Sequence, residues 1–134
     1  MRRIELLILV FALLCCGCAT DHRTDVTLEE IATAYELAGY KISTGAYDER
    51  LDLPQIAYLQ ADHPDGDYIY FTFFETVEAA REYEREQDKP IVIGLFSVIF
   101  GEPKWVRMEA YGTVVVQYSN SRHFLPFENL LKGK

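Results

Sequence analysis

The 134 residues include 49% hydrophobic and 25% charged side chains, the balance of one folded domain, which excludes disorder over most of the chain. The net charge of −8, from 13 Lys+Arg against 21 Asp+Glu, argues against a nucleic-acid partner. The three cysteines cluster at Cys15, Cys16 and Cys18, so no disulfide framework can cross the domain.

The N-terminal stretch reads as an export signal. Arg2 and Arg3 give a positive start, Leu6 to Cys16 is an unbroken apolar run, and the small residues Gly17, Cys18 and Ala19 follow. As a helix the apolar run would reach about 16 Å, roughly half of the ~30 Å hydrocarbon core of a bilayer. A short signal-peptide core fits this length better than a permanent span.

The segment Leu13-Leu14-Cys15-Cys16-Gly17-Cys18-Ala19-Thr20 resembles a bacterial lipoprotein cleavage site. Gly17-Cys18 matches the small residue and the lipid-bearing cysteine of that pattern, whereas Cys15 and Cys16 stand where it has Leu and a small residue. The resemblance covers only residues 1–20. It implies a signal peptide over 1–17, a lipid on Cys18 and a lipidated tether over 18–25. The single globular domain is then 26–134. The anchor places the protein in the cell envelope, attached to the membrane by acyl chains, because an acidic body is repelled by anionic headgroups. Ala19, rather than Asp, follows the cysteine. In the lipoprotein sorting pattern this implies the outer membrane of a two-membrane bacterium, and in a one-membrane bacterium the anchor holds the chain on the outer face of the cell membrane.

The domain opens with a helix. Thr27 and Glu30 form a capping box, Val26 and Ile31 have staple spacing, and Leu28, Ile31, Ala32, Tyr35 and Ala38 form one apolar stripe that Gly39 terminates. A strand is expected over Tyr40–Thr44, an acidic loop over Gly45–Pro54, and a strand over Gln55–Ala61. The turn His63-Pro64-Asp65-Gly66 leads into a long aromatic strand, Asp67–Glu75. Ile69, Phe71 and Phe73 face one way. Tyr68, Tyr70, Thr72 and Phe74 face the other. Thr76 caps a second helix, Val77 to about Gln87, whose inner stripe is Val77, Ala80 and Tyr83. Ile91–Phe100 carries no charge and suits a short buried helix or a strand, the prolines around it favouring the helix. It serves either as core or as an apolar patch near Phe96 and Phe100. Strands over Lys104–Ala110 and Thr113–Asn120 meet at Tyr111-Gly112, and Leu125–Leu131 closes the domain. The expected fold is α+β: a small antiparallel sheet of about four to five strands, with two to three helices packed mainly on one face. Tyr35, Phe71, Phe73 and Trp105 are expected at its centre.

Chemistry is sparse. No Gly-x-Ser-x-Gly elbow, phosphate loop or dinucleotide fingerprint occurs. His63 lies among Asp62, Asp65 and Asp67, but the spacing is not that of a calcium loop and reads as a hairpin turn, with a weak cation site as the alternative. No catalytic residue, metal or cofactor is expected. The aromatic residues Tyr68, Tyr70 and Trp105, together with Phe96 and Phe100, are the candidate binding residues, because aligned rings take sugar rings or a partner's apolar anchors. The expected role is a non-enzymatic binding or assembly module whose partner is an envelope protein or a small molecule. The alternatives are an envelope-acting hydrolase, or a secreted inhibitor-like module with an acidic face.

Overall fold

The computed structural model describes residues 26–87 and 107–133. The candidate residues Cys18, Phe96, Phe100 and Trp105, the signal and tether, and the uncharged segment 91–100 lie outside them. The described elements are α1 (Leu28–Leu37), β1 (Lys41–Ala46), β2 (Gln55–Asp62), β3 (Tyr68–Phe74), α2 (Val77–Gln87), β4 (Arg107–Tyr111), β5 (Val114–Tyr118) and α3 (Leu125–Lys132). Short 3-10 turns cover Glu49–Leu51 and Ser121–Phe124. The fold is α+β, with one five-stranded sheet of order β1-β2-β3-β5-β4 in which every pairing is antiparallel.

Local signals act where the residue pattern places them. Thr27 Oγ1 accepts from Glu30 N while a Glu30 carboxylate oxygen accepts from Thr27 N, so both halves of the capping box are made. Gly39 takes φ +89°, the left-handed turn that ends α1. Gly66 at φ +93° lets the chain reverse between β2 and β3, closed by His63 N donating to Asp67 O at 2.8 Å. β1 runs two residues further than expected. Gly45 and Ala46 pair with Tyr58 and Ala57, and Gly45 is needed there because a Cβ would come within 2.6 Å of the Tyr58 ring. The loop that follows is correspondingly shorter.

The strand alternation sorts the sheet into two faces. On the inner face Leu59, Ala61, Ile69, Phe71, Phe73, Val114, Val116 and Tyr118 pack beneath Ile31 and Tyr35 of α1 and Phe127 of α3. Tyr35 and Phe71 are fully buried and Phe73 nearly so, as their periodicity predicts. Phe71 meets Tyr35 edge-on at 5.4 Å and Phe127 at 5.3 Å, spacings at which aromatic pairs attract. The third helix goes to the opposite face. Ala80 of α2 sits on Phe74 and Val115, with Ala79, Tyr83, Met108 and Ala110 around them. Glu84 Oε1 accepts from Ala110 N at 3.1 Å, which satisfies an N–H of the edge strand β4. Helix α2 occupies only the Phe74 end of this outer face.

Candidate functional site

Beyond α2 the outer face changes character. The register aligns Ser43, Gln60, Tyr70, Gln117 and Met108 in one row across all five strands. These are face positions of central strands, where apolar residues would be the rule under a covering layer. Gln60, Tyr68, Tyr70 and Gln117 instead line a cleft of about 270 Å³, just under the ~300–1,000 Å³ of sites for drug-sized ligands. Gln60 Nε2 donates to Asp62 Oδ1 at 2.8 Å, which fixes the amide plane at the cleft wall. Tyr68 is 47% exposed and presents its ring to solvent.

Tyr70 belongs to a tyrosine ladder. The Tyr58 ring lies across Gly45 and stacks on Tyr70 at 5.7 Å with planes 13° apart. Tyr47 meets Tyr58 edge-on at 5.8 Å, and its hydroxyl lies 3.5 Å from that of Tyr70. Burial first, then the Tyr47 hydroxyl, push the Tyr70 phenol well above its ordinary value. The ring therefore stays neutral and keeps a hydroxyl donor at any physiological pH. Among the described residues the lining offers two carboxamides, two phenols and ring faces, none of them formally charged. Such a surface suits a neutral ligand with hydroxyl or amide groups and one flat face.

Tyr68 and Tyr70 share one strand face, as the alternation predicts, and both line the cleft. It adds Gln60 and Gln117, which the sequence reading did not single out. A signal was available for Gln117, the one amide on the otherwise apolar run Val114–Tyr118; Gln60 shares its strand with Gln55 and Asp62 and does not stand out.

A second polar cluster lies at the end of the inner face. The 3-10 turn after β5 starts at Asn120, whose Oδ1 accepts from Arg122 N at 3.1 Å and whose O accepts from His123 N at 3.0 Å. This turn drives His123 into the core with no exposed surface. Its carbonyl accepts from Tyr35 Oη at 2.7 Å and its Nδ1 lies 2.6 Å from Tyr40 Oη. Arg122 Nε donates to His123 Nε2 at 3.3 Å, and Asp67 Oδ2 lies 3.4 Å from the same nitrogen. Burial lowers the affinity of His123 for a second proton, although Asp67 beside it acts in the opposite sense.

The β2–β3 turn faces this histidine. Asp67 Oδ2 lies 3.4 Å from His123 Nε2, and Asp65 Oδ2 lies 4.0 Å from it. His63 Nδ1 is 2.9 Å from Asp65 Oδ1, and its ring centroid is 5.1 Å from that of His123. The Arg122 guanidinium pairs with Asp65. The turn itself matches the sequence reading. Its closure by a histidine 56 residues further along does not appear in any local pattern.

Among the described residues no helix is long and apolar enough to cross a membrane. No protein-family model, curated protein or solved structure matches the chain.

Proposed function

We propose that this is a small lipid-anchored cell-envelope protein. Cys18 carries the acyl chains, and the domain acts by binding a ligand at the cleft of Gln60, Tyr68, Tyr70 and Gln117. The single observation that carries the binding role is that cleft: an amide- and phenol-lined depression where the face of central strands would otherwise be apolar. Its chemistry favours a neutral, polyhydroxylated ring such as a sugar unit of an envelope glycan. A ring stacks on Tyr68 while its hydroxyls exchange hydrogen bonds with the two amides and the Tyr70 hydroxyl. The cleft volume accommodates one such ring rather than an extended chain. Gly17-Cys18 at the end of the apolar run supports the anchor.

The test is titration of the full chain, in detergent, with soluble fragments of envelope glycan. Tyr68→Ala should cost about 2 kcal/mol, or ~30-fold in Kd, if the ring is the stacking platform. Unchanged affinity in Tyr68→Ala and in Gln117→Ala would remove the cleft as the site. Cys18→Ala should move the protein out of the membrane fraction or leave it as a precursor. A processed, membrane-bound Cys18→Ala variant would refute the anchor.

A further inference from the structure

We propose that Asp65, Asp67 and His123, with His63 beside them, form a binding site for a divalent transition metal of the zinc class. One ligand atom from each of Asp65, Asp67 and His123 falls within 4.8 Å of the others. Two ligand atoms bound at ~2.1 Å to a tetrahedral metal lie about 3.4 Å apart. His123 Nε2 and Asp67 Oδ2 stand at that separation, 3.4 Å. The Asp65 Oδ2 edge, 4.0 Å, closes with a small turn of a half-exposed carboxylate. His63 Nδ1 stays within the turn, accepting from Asp65 N and lying 2.9 Å from Asp65 Oδ1, so the three residues leave the fourth position open.

The hydrogen-bond pattern points the same way. His123 Nε2 is aimed at two carboxylates while Nδ1 lies against the Tyr40 hydroxyl. A metal on Nε2 requires the ring proton on Nδ1, where the Tyr40 oxygen can accept it. Arg122 supplies a positive group here, donating to Nε2 and pairing with Asp65. Its side chain is 57% exposed, so the guanidinium can leave for water and give place to an ion. The Tyr40–Nδ1 contact is the outer-shell bond that orients metal-bound histidines and fixes their tautomer. An imidazole beside two carboxylates selects zinc-class ions over calcium or magnesium, which take oxygen-only sets. The site is separate from the Tyr68–Tyr70 cleft and does not depend on what that cleft binds.

The experiment is titration of the purified full chain with Zn²⁺ by calorimetry, and with Co²⁺ followed by the visible absorption that marks tetrahedral coordination. One equivalent should bind. Asp67→Asn should weaken binding about tenfold or more, because even outer-shell partners cause such losses. Arg122→Ala should bind as tightly as the parent or more tightly, because it removes the competing cation. A purely structural cluster would not give that gain. Circular dichroism checks each fold, and Asp65→Asn replaces Asp67→Asn if the latter unfolds. The proposal is overturned by any of three results: no saturable binding, affinity unchanged by both carboxamide variants, or a tenfold loss in Arg122→Ala. Unchanged affinity in the carboxamide variants would place the metal on other residues, such as the N-terminal cysteines.

Discussion

Removing one oxygen atom, Tyr35→Phe, tests how the first helix is tied to the C-terminal turn. The Tyr35 ring is fully buried and packs edge-on against Tyr40 at 5.0 Å and Phe71 at 5.4 Å. Phenylalanine keeps all of those contacts and opens no cavity of consequence. What disappears is the donor to His123 O at 2.7 Å, together with the acceptor for the Phe127 backbone N–H. A typical hydrogen bond contributes about 0.5–1.5 kcal/mol net, while a buried acceptor left without a partner costs about 1–3 kcal/mol. Because no part of His123 reaches solvent, water has no access to the stranded carbonyl, and the cost should lie near 2 kcal/mol. Burial also holds the Tyr35 phenol far above its ordinary value, so the bond is present throughout the neutral and alkaline range and the loss should not vary across it. Urea unfolding of the full chain gives the number, as a lower midpoint at constant m-value. A loss below about 0.5 kcal/mol would mean that the carbonyl finds another donor once the hydroxyl is gone. The bond would then not be the tie between α1 and the Ser121–Phe124 turn.

Phe71→Ala should cost about 3–5 kcal/mol, because the ring is fully buried and packs between Tyr35 and Phe127. Denaturant unfolding checks it, and a loss under about 1 kcal/mol would place that face in solvent. Gly45→Ala puts a methyl group where the Tyr58 ring lies, 2.6 Å away. It should destabilise by about 1–3 kcal/mol and unstack Tyr58 from Tyr70, seen as changed near-ultraviolet circular dichroism. An unaltered tyrosine spectrum would show that the ladder does not depend on the glycine.

Most of the scaffold was readable residue by residue. The capping box at Thr27 and Glu30, the left-handed Gly39 and Gly66, and the two-residue alternation of Tyr68–Phe74 are local signals, and each acts within a few residues of itself. Reading β1 too short came from treating Gly45 as a strand end, when its lack of a side chain serves the neighbouring strand. Which face a helix takes is not local. The inner stripe of α2 was legible, but that it covers Phe74 and Val115 rather than joining α1 follows from the pairing of β3 with β5. The cleft was half legible: Tyr68 and Tyr70 share a strand, whereas Gln60 and Gln117 arrive from strands on either side. The Asp65–Asp67–His123 cluster joins a tight turn to a position 56 residues later, and nothing in the sequence near His123 marks it as buried.

The strand order carries a kinetic consequence. β1, β2 and β3 follow one another as neighbours, and so do β4 and β5, but the sheet becomes one only where β3 meets β5. Hairpins close early because their loops are short. This seam closes late, since the entropy of joining distant segments must be met before the contacts form. Phe127 touches Phe71 on one side of the seam and Tyr111 on the other, so the last helix acts as a clasp over the join. Each half alone lacks the other's share of the Phe71–Val116 core. A chain released before its C-terminal residues emerge would therefore expose one edge of β3 and the apolar row beneath it.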